Sequence, residues 1–280
     1  VKALALKITM NEFTKNIRTP ISSDKNQILS FCEKTFSWGD YIHEVWDVWQ
    51  NDGGLAIIEE DNTAVAMCHG VQYKSEGMLW IEGIRVKEEY RKSGYATSLI
   101  THFEEIAINS GIIHVDMLIE SENTNSLNLV KKLGYHIISK WNYFSSEAKK
   151  NSYSKIKFDS VEFSDLKNLE GLLFVESWRW IPLTESNFKH LSLDGNILCL
   201  KKDEVIQSLG IITESDSFHD TIMLTLIFGT VDDMHKMIYY AQNLAIKKNY
   251  SKIRIITKKD TLKLGIVGKK FPFYLVEKIL

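Results

Sequence analysis

Trp80-Ile81-Glu82-Gly83-Ile84-Arg85-Val86, then Arg91-Lys92-Ser93-Gly94-Tyr95-Ala96 and an amphipathic run to Ser110, is the stretch whose reading decides the fold. The first block is apolar and β-rich and predicts a strand over Met78–Val86. The second passes through a glycine into a long helix, predicted over Gly94–Ser110, with Leu99, Ile100, Phe103, Ile106 and Ala107 inward and Gly111 as its stop. Free backbone N–H groups and the helix dipole make such a start an anion site. Gly94 supplies a backbone conformation that few residues tolerate, and Ala96 is small enough to let an anion approach. Neither the Walker pattern nor G-x-G-x-x-G is present, so this is a pyrophosphate cradle without a lysine–metal pair.

Outward from that stretch the element order is mixed. Upstream, helices are expected over Asp24–Phe36 and Asp40–Gln50, the latter stopped by Asp52-Gly53-Gly54. A hairpin of Leu55–Glu59 and Ala64–Tyr73 follows. Downstream come a strand at His114–Ile119, a helix at Asn123–Leu133 and one or two closing strands in Tyr135–Phe144, with Ser145–Ser154 as the linker. Beyond it a helix is predicted over Leu166–Trp178, a hairpin from Ile197–Lys201 and Val205–Thr213, and a strand at Thr221–Phe228. A helix at Val231–Lys248, a strand at Lys252–Thr257, a short helix at Thr261–Val267 and a closing stretch at Phe273–Leu280 complete the second half.

A shift of 138 residues lays Val115-Asp116-Met117 on Ile253-Arg254-Ile255, Leu133 on Phe271, Tyr135 on Phe273 and Ile137-Ile138 on Leu275-Val276. One offset through strand, helix and strand predicts an internal duplication. The expected architecture is therefore α/β with two tandem mixed sheets flanked by helices, one domain over 1–147 and the other over 152–280.

The totals exclude several classes. Up to Lys150 there are 16 basic and 20 acidic residues, and after it 18 and 16, for a net charge of −2; neither half is a basic platform for nucleic acid or an anionic membrane. Cys32, Cys68 and Cys199 are isolated, and the histidines show no ligand spacing, which speaks against a disulfide framework and a metal site. The apolar start at Ala3–Leu6 is too short for a signal-peptide core, and the expected location is the cytoplasm.

The pattern V-x(4)-R-x-x-G-x-A, carried by Val86, Arg91, Gly94 and Ala96, resembles the acetyl-CoA motif of the GNAT superfamily. Asn123, Ser126, Leu129 and Leu133-Gly134-Tyr135 resemble its second block. Glu82-Gly83-Ile84-Arg85-Val86, with Asp40-Tyr41 before a Trp-rich helix, further looks like the subgroup that contains histidine N-acetyltransferase. The resemblance covers the first half. It implies an N-acetyltransferase that passes an acetyl group from acetyl-CoA to a primary amine, small molecule or peptide, by direct attack and without a metal. It also implies a cofactor site at Ile84, Arg85, Val86, Arg91, Lys92, Ser93, Gly94, Tyr95, Ala96, Asn123 and Ser126.

Direct attack needs a base, because an ammonium must first lose a proton. Glu82 shares a strand face with Trp80, Ile84 and Val86, where a carboxylate is costly unless paired or put to use. Base and ion pair, with Arg85 or a lysine, stand side by side as readings. The family's acid tyrosine falls on Val130 here, which leaves Tyr135 as the acid candidate, with Tyr95 close by in sequence, or water. Tyr41 and His43 are the acceptor-pocket candidates; Trp46 and Trp49 share the core face of their helix, and Trp38 precedes it. Cys68 has no adjacent base to make it an acyl carrier.

The second half has Phe228-Gly229-Thr230-Val231-Asp232-Asp233 where the cradle would stand, so it reads as a degenerate repeat that serves structure or walls the acceptor site with Trp178, Arg179 and Trp180. A non-catalytic acyl-CoA sensor and an interaction protein with an empty fold of this type are the rival readings. Assembly as a homodimer is open.

Overall fold

The computed structural model describes residues 15–33, 35, 39–152, 156–169, 171–215, 219–260, 262 and 268–280. Ala3–Leu6, Trp38 and, apart from Leu262, the short helix expected over 261–267 lie outside them. The chain divides into two compact units. One holds the described residues up to Met117 with Asn128–His136 and Glu277–Leu280; the other holds Leu118–Leu127 and Ile137–Val276.

In the first unit, β1 (Ile17–Arg18) is followed by α1 (Asp24–Cys32) and α2 (Ile42–Asp52). Ile42, Val45, Trp46 and Trp49 form the buried stripe of α2, and Gly53 ends it in the left-handed region at φ 76°. β2 (Leu55–Glu60) and β3 (Thr63–Tyr73) are joined through Asp61 and Asn62, both at positive φ, in the turn whose twist suits a hairpin. β4 (Met78–Val86) pairs antiparallel with β3, and α3 (Tyr95–Asn109) carries the chain to β5 (His114–Glu120), parallel to β4. The order β1-β2-β3-β4-β5 is a mixed sheet. Leu99, Ile100, Phe103 and Ala107 of α3 are buried with Val65, Met67, Leu79 and Ile81. Gly70 admits Phe103 to the sheet: a Cβ there would lie 2.3 Å from the ring.

Beyond β5 come α4 (Thr124–Lys132) and β6 (His136–Glu147), then a hairpin of β7 (Leu173–Glu176) and β8 (Arg179–Pro182), and α5 (Glu185–Leu193). The helix expected over Leu166–Trp178 is thus corrected. Gly171 sits at φ 65°, and Phe174-Val175 and Trp180-Ile181 are buried as strand residues on either side of a turn at Ser177-Trp178. β-branched and aromatic side chains fit the pleat better than a helix. The helical α5, capped by Thr184, has no counterpart among the expected elements.

The second unit repeats the order seen in the first. β9 (Ile197–Lys202) and β10 (Val205–Thr213) meet at Asp203-Glu204, again both at positive φ; β11 (Thr221–Phe228), α6 (Val231–Lys247) and β12 (Lys252–Thr257) follow, with β12 parallel to β11. Ile222, Leu224, Leu226, Met234, Met237, Ile238, Ala241, Ile253 and Ile255 make its core. β6 pairs antiparallel with β12, from Asn142↔Thr257 to Glu147↔Lys252. The strand expected to close the first half therefore serves the second unit's sheet. β13 (Gly268–Ile279) ends the chain, and Leu280 donates its N–H to Ile113 of the first unit's own segment.

Candidate active site

β4 changes character after Glu82. Its parallel ladder with β5 runs from Met78↔His114 to Ile81↔Met117. Against β3, His69 faces Glu82 but Met67 faces Arg85, so Gly83 and Ile84 together oppose the single residue Cys68. This is a β-bulge, and Gly83 takes its positive φ of 66°. It bends the strand and interrupts the ladder where the chain would meet a ligand. Gly83 is required twice over, because a Cβ there would lie 2.5 Å from the ring of Trp49.

Glu82 sits at the bulge with its side chain 12% exposed. Its Oε1 lies 2.9 Å from Nδ1 of the fully buried His69, and its Oε2 accepts from Nε1 of Trp80 at 3.2 Å. His69 is stacked on Trp49, with ring centroids 4.5 Å apart and planes 7° from parallel. Arg85 forks onto Asp40 instead, Nε to Oδ2 at 2.7 Å and Nη2 to Oδ1 at 3.1 Å. Asp40 Oδ1 also accepts from the N–H of Ile42 at 3.3 Å, which ties this pair to the start of α2. Tyr41 lies edge-on to Trp49 and 5.4 Å below the Arg85 guanidinium. Burial raises its hydroxyl pKa, and the charge of Arg85 offsets part of that rise. Tyr41, Asp40, Trp49, His69, Trp80, Glu82 and Arg85 thus converge on one end of β4.

The loop from Arg91 to Gly94 joins β4 to α3. Arg91 and Lys92 lead out of a short 3₁₀ turn at Glu88–Tyr90, and Lys92 stands at φ 63°. Gly94, at φ 82°, is the N-cap of α3, and no side chain caps the helix start. A Cβ added to Gly94 would meet nothing within 4 Å, so the space beside Gly94 is open. Arg91 Nε donates to the Val86 carbonyl at 3.2 Å and Ser93 Oγ to the Arg91 carbonyl at 3.4 Å, which folds the loop back on the end of β4. Tyr95 closes one side. Its hydroxyl donates to Glu60 at 2.9 Å, its ring lies 2.9 Å from Lys15 Nζ, and burial followed by Glu60 pushes its pKa up to about 12.

His43 is exposed, with Nδ1 donating to the Asp40 carbonyl at 2.7 Å on the outside of the first helical turn. Tyr135 is buried, and its hydroxyl donates to Glu104 at 3.0 Å; burial and the Glu104 charge both raise its pKa. Val130, where the resemblance to the GNAT superfamily would put an acid tyrosine, is buried. Asn123 and Ser126 belong to the second unit, where the Asn123 side chain accepts from the Ser126 N–H at 3.1 Å and caps α4. Cys68 is fully buried, and that burial lifts its thiol well above the ordinary value, as expected of an inert thiol. Among the described residues there is no cluster of metal-ligating side chains and no helix long and apolar enough to cross a membrane.

His69, Asp40 and Gly83 are the residues of this group that residue-type reasoning passed over. His69 was within reach of counting. Tyr73 and Met78 flank the β3–β4 turn, and counting inward from them in register brings His69 opposite Glu82.

Residues 25–135 match the Acetyltransferase (GNAT) family. No curated protein matches the sequence. Among solved structures, a candidate acetyltransferase from Thermoplasma acidophilum superposes with a TM-score of 0.65 at 17% identity, over 94% of this chain and 99% of that one. A GCN5-related N-acetyltransferase from Sphaerobacter thermophilus gives 0.63 at 13% identity, over 94% and 95%. At such identities the likeness is one of fold. The matched residues 25–135 hold the bulge at Gly83-Ile84, the Glu82 carboxylate and the start of α3.

Proposed function

We propose that this protein is an N-acetyltransferase that transfers an acetyl group from acetyl-CoA to a primary amine by direct attack. The observation that carries the reading is the pairing, on one strand-to-helix passage, of an uncapped helix start behind Gly94 with a carboxylate held at a bulge. The start of α3 suits a pyrophosphate: no side chain caps it, and a Cβ on Gly94 would meet nothing within 4 Å. Acetyl-CoA would supply the acyl group as a thioester. Glu82, ionised, would take the proton from the acceptor ammonium, and main-chain N–H groups at Gly83–Val86, freed by the bulge, would hold the carbonyl oxygen as it gains charge. The N–C bond forms as the C–S bond breaks. The departing thiolate would take its proton from water, since Val130 cannot give one and Tyr135 holds its own on Glu104. Tyr41 would wall the acceptor side.

The second unit, in this reading, is a degenerate repeat of the first. A non-catalytic acyl-CoA sensor is the second reading, and the buried Val130 favours it. One assay separates them: thiol release from acetyl-CoA in the presence of free amino acids, polyamines, aminoglycosides and peptide amino termini. Release with any amine establishes transfer. Binding of acetyl-CoA without release from the whole panel supports the sensor.

A further inference from the structure

The acyltransferase reading leaves His69 without a role, and any role for His69 in transfer rests on that reading. His69 is fully buried in β3, flat against Trp49, with Nδ1 at 2.9 Å from Glu82 Oε1. Its other nitrogen, Nε2, is buried and has no hydrogen-bond partner among the described residues. The backbone of Gly54 closes that side: a Cβ on Gly54 would lie 3.0 Å from Nε2.

We propose that His69 is the positioning residue of Glu82, a neutral imidazole with its proton on Nδ1 that donates to the carboxylate and does not relay a proton. Two facts fix the tautomer. A proton on Nε2 would be a buried N–H with no acceptor, whereas a proton on Nδ1 meets a carboxylate oxygen. The blind Nε2 also gives a relayed proton nowhere to go. His69 therefore holds Oε1 as Trp80 holds Oε2, and the two donors set the plane of the carboxylate and favour its ionised form. Trp49 keeps the ring in plane, and the absence of a Cβ at Gly83 is what lets Trp49 reach it.

The direct test is nitrogen-15 NMR of the histidine side chains in the full-length protein at pH 7.5, with the His69 signals assigned by their loss in His69→Asn. Signals of the Nδ1–H tautomer are expected. An Nε2–H tautomer, or an imidazolium, overturns the proposal. The kinetic test compares His69→Phe, which keeps a ring against Trp49 but no donor, with His69→Asn, whose amide nitrogen occupies the place of Nδ1. His69→Phe should lower kcat about 10-fold or more, leave the KM for acetyl-CoA unchanged and move the acidic limb of the pH profile upward. His69→Asn should recover most of the loss and restore the limb. Equal losses in the two variants would make His69 a relay, and a folded His69→Phe with wild-type turnover would make it packing; each outcome overturns the proposal. Full turnover in Glu82→Gln would instead remove the base assignment and leave the tautomer result standing.

Discussion

Twice in this chain a buried strand runs through a glycine into a long helix, and the two passages are finished differently. At the end of β4 the helix α3 starts on Gly94 in the left-handed region, with no side-chain cap and open space before it. At the end of β11 the helix α6 starts on Thr230 in extended geometry, and its Oγ1 accepts from the Asp233 N–H at 3.2 Å. The Asp233 carboxylate then takes Ser208 Oγ at 2.9 Å and Lys236 Nζ at 2.7 Å. One helix start is satisfied by its own residues, and the other is left for something else to satisfy. The bulge is present in both, since β11 also carries an extra residue between the partners of Leu209 and Gly210. In the proposed reading of the second unit as a degenerate repeat, the backbone device is kept and the uncapped helix start is not.

The sharpest way to break this comparison is to count ligands. Calorimetry with acetyl-CoA should give a stoichiometry of about one per chain, because of the two passages compared only that into α3 lacks a side-chain cap. Gly94→Val should take it to zero in a protein that still folds: the new side chain meets no neighbour, and its harm lies in the positive φ and in blocking the phosphates. The reverse is expected of Gly229→Ala. Its Cβ would lie 2.4 Å from Ser208 Oγ, so it should lower the melting temperature and leave acetyl-CoA binding intact. A stoichiometry near two would mean that Asp232 and Asp233 do not exclude a phosphate, and the contrast between the passages would fall.

Glu82→Gln sharpens the same contrast within the first passage by separating cradle from carboxylate. It should lower kcat by about 10²-fold or more while changing acetyl-CoA affinity little. The acidic limb of the pH–rate profile should vanish with it. An unchanged profile at full turnover would leave Glu82 as a structural partner of His69 and Trp80.

Much of this was legible in the residues, for identifiable reasons. Glycines at turns, alternating strands and the long stripe of α3 are local signals, and β2, β3, β4, α3 and β5 lie within a residue of expectation. What failed was non-local. Glu82 and Arg85 are close in sequence, which suggested an ion pair, but the bulge at Gly83-Ile84 re-aims the strand so that Arg85 meets Asp40 and Glu82 meets His69. The use of β6 by the second unit was equally hidden. Ile137-Ile138 and Leu275-Val276 occupy matching places in the two halves, and hydrophobic pattern alone cannot say which sheet takes which strand.

The smallest expected effect concerns those matching places directly. Asp116 in β5 and Arg254 in β12 are counterparts at the 138-residue offset. Asp116 is 6% exposed, its Oδ1 has no partner among the described residues, and burial, with Glu277 adding to it, raises its pKa from an ordinary 3.8 to about 7. A carboxyl group raised on folding favours the folded state only while protonated. Its contribution is complete below pH 4 and is lost as pH rises through 7. That rise bounds the loss at about 4 kcal/mol, and relaxation around the charge should leave about 1–2 kcal/mol. Asp116→Asn, neutral throughout, should therefore be more stable than the wild type at pH 8, with the gap closing toward pH 4 in urea or thermal melts. Arg254 is half-buried, with its guanidinium 5.5 Å above the ring of Trp178, and it does not titrate in this range. Arg254→Gln should shift stability by an amount that stays constant between pH 4 and 8. If Asp116→Asn shows the same flat difference, the buried carboxyl does not take up a proton on folding, and the two strands differ in sequence but not in their response to pH.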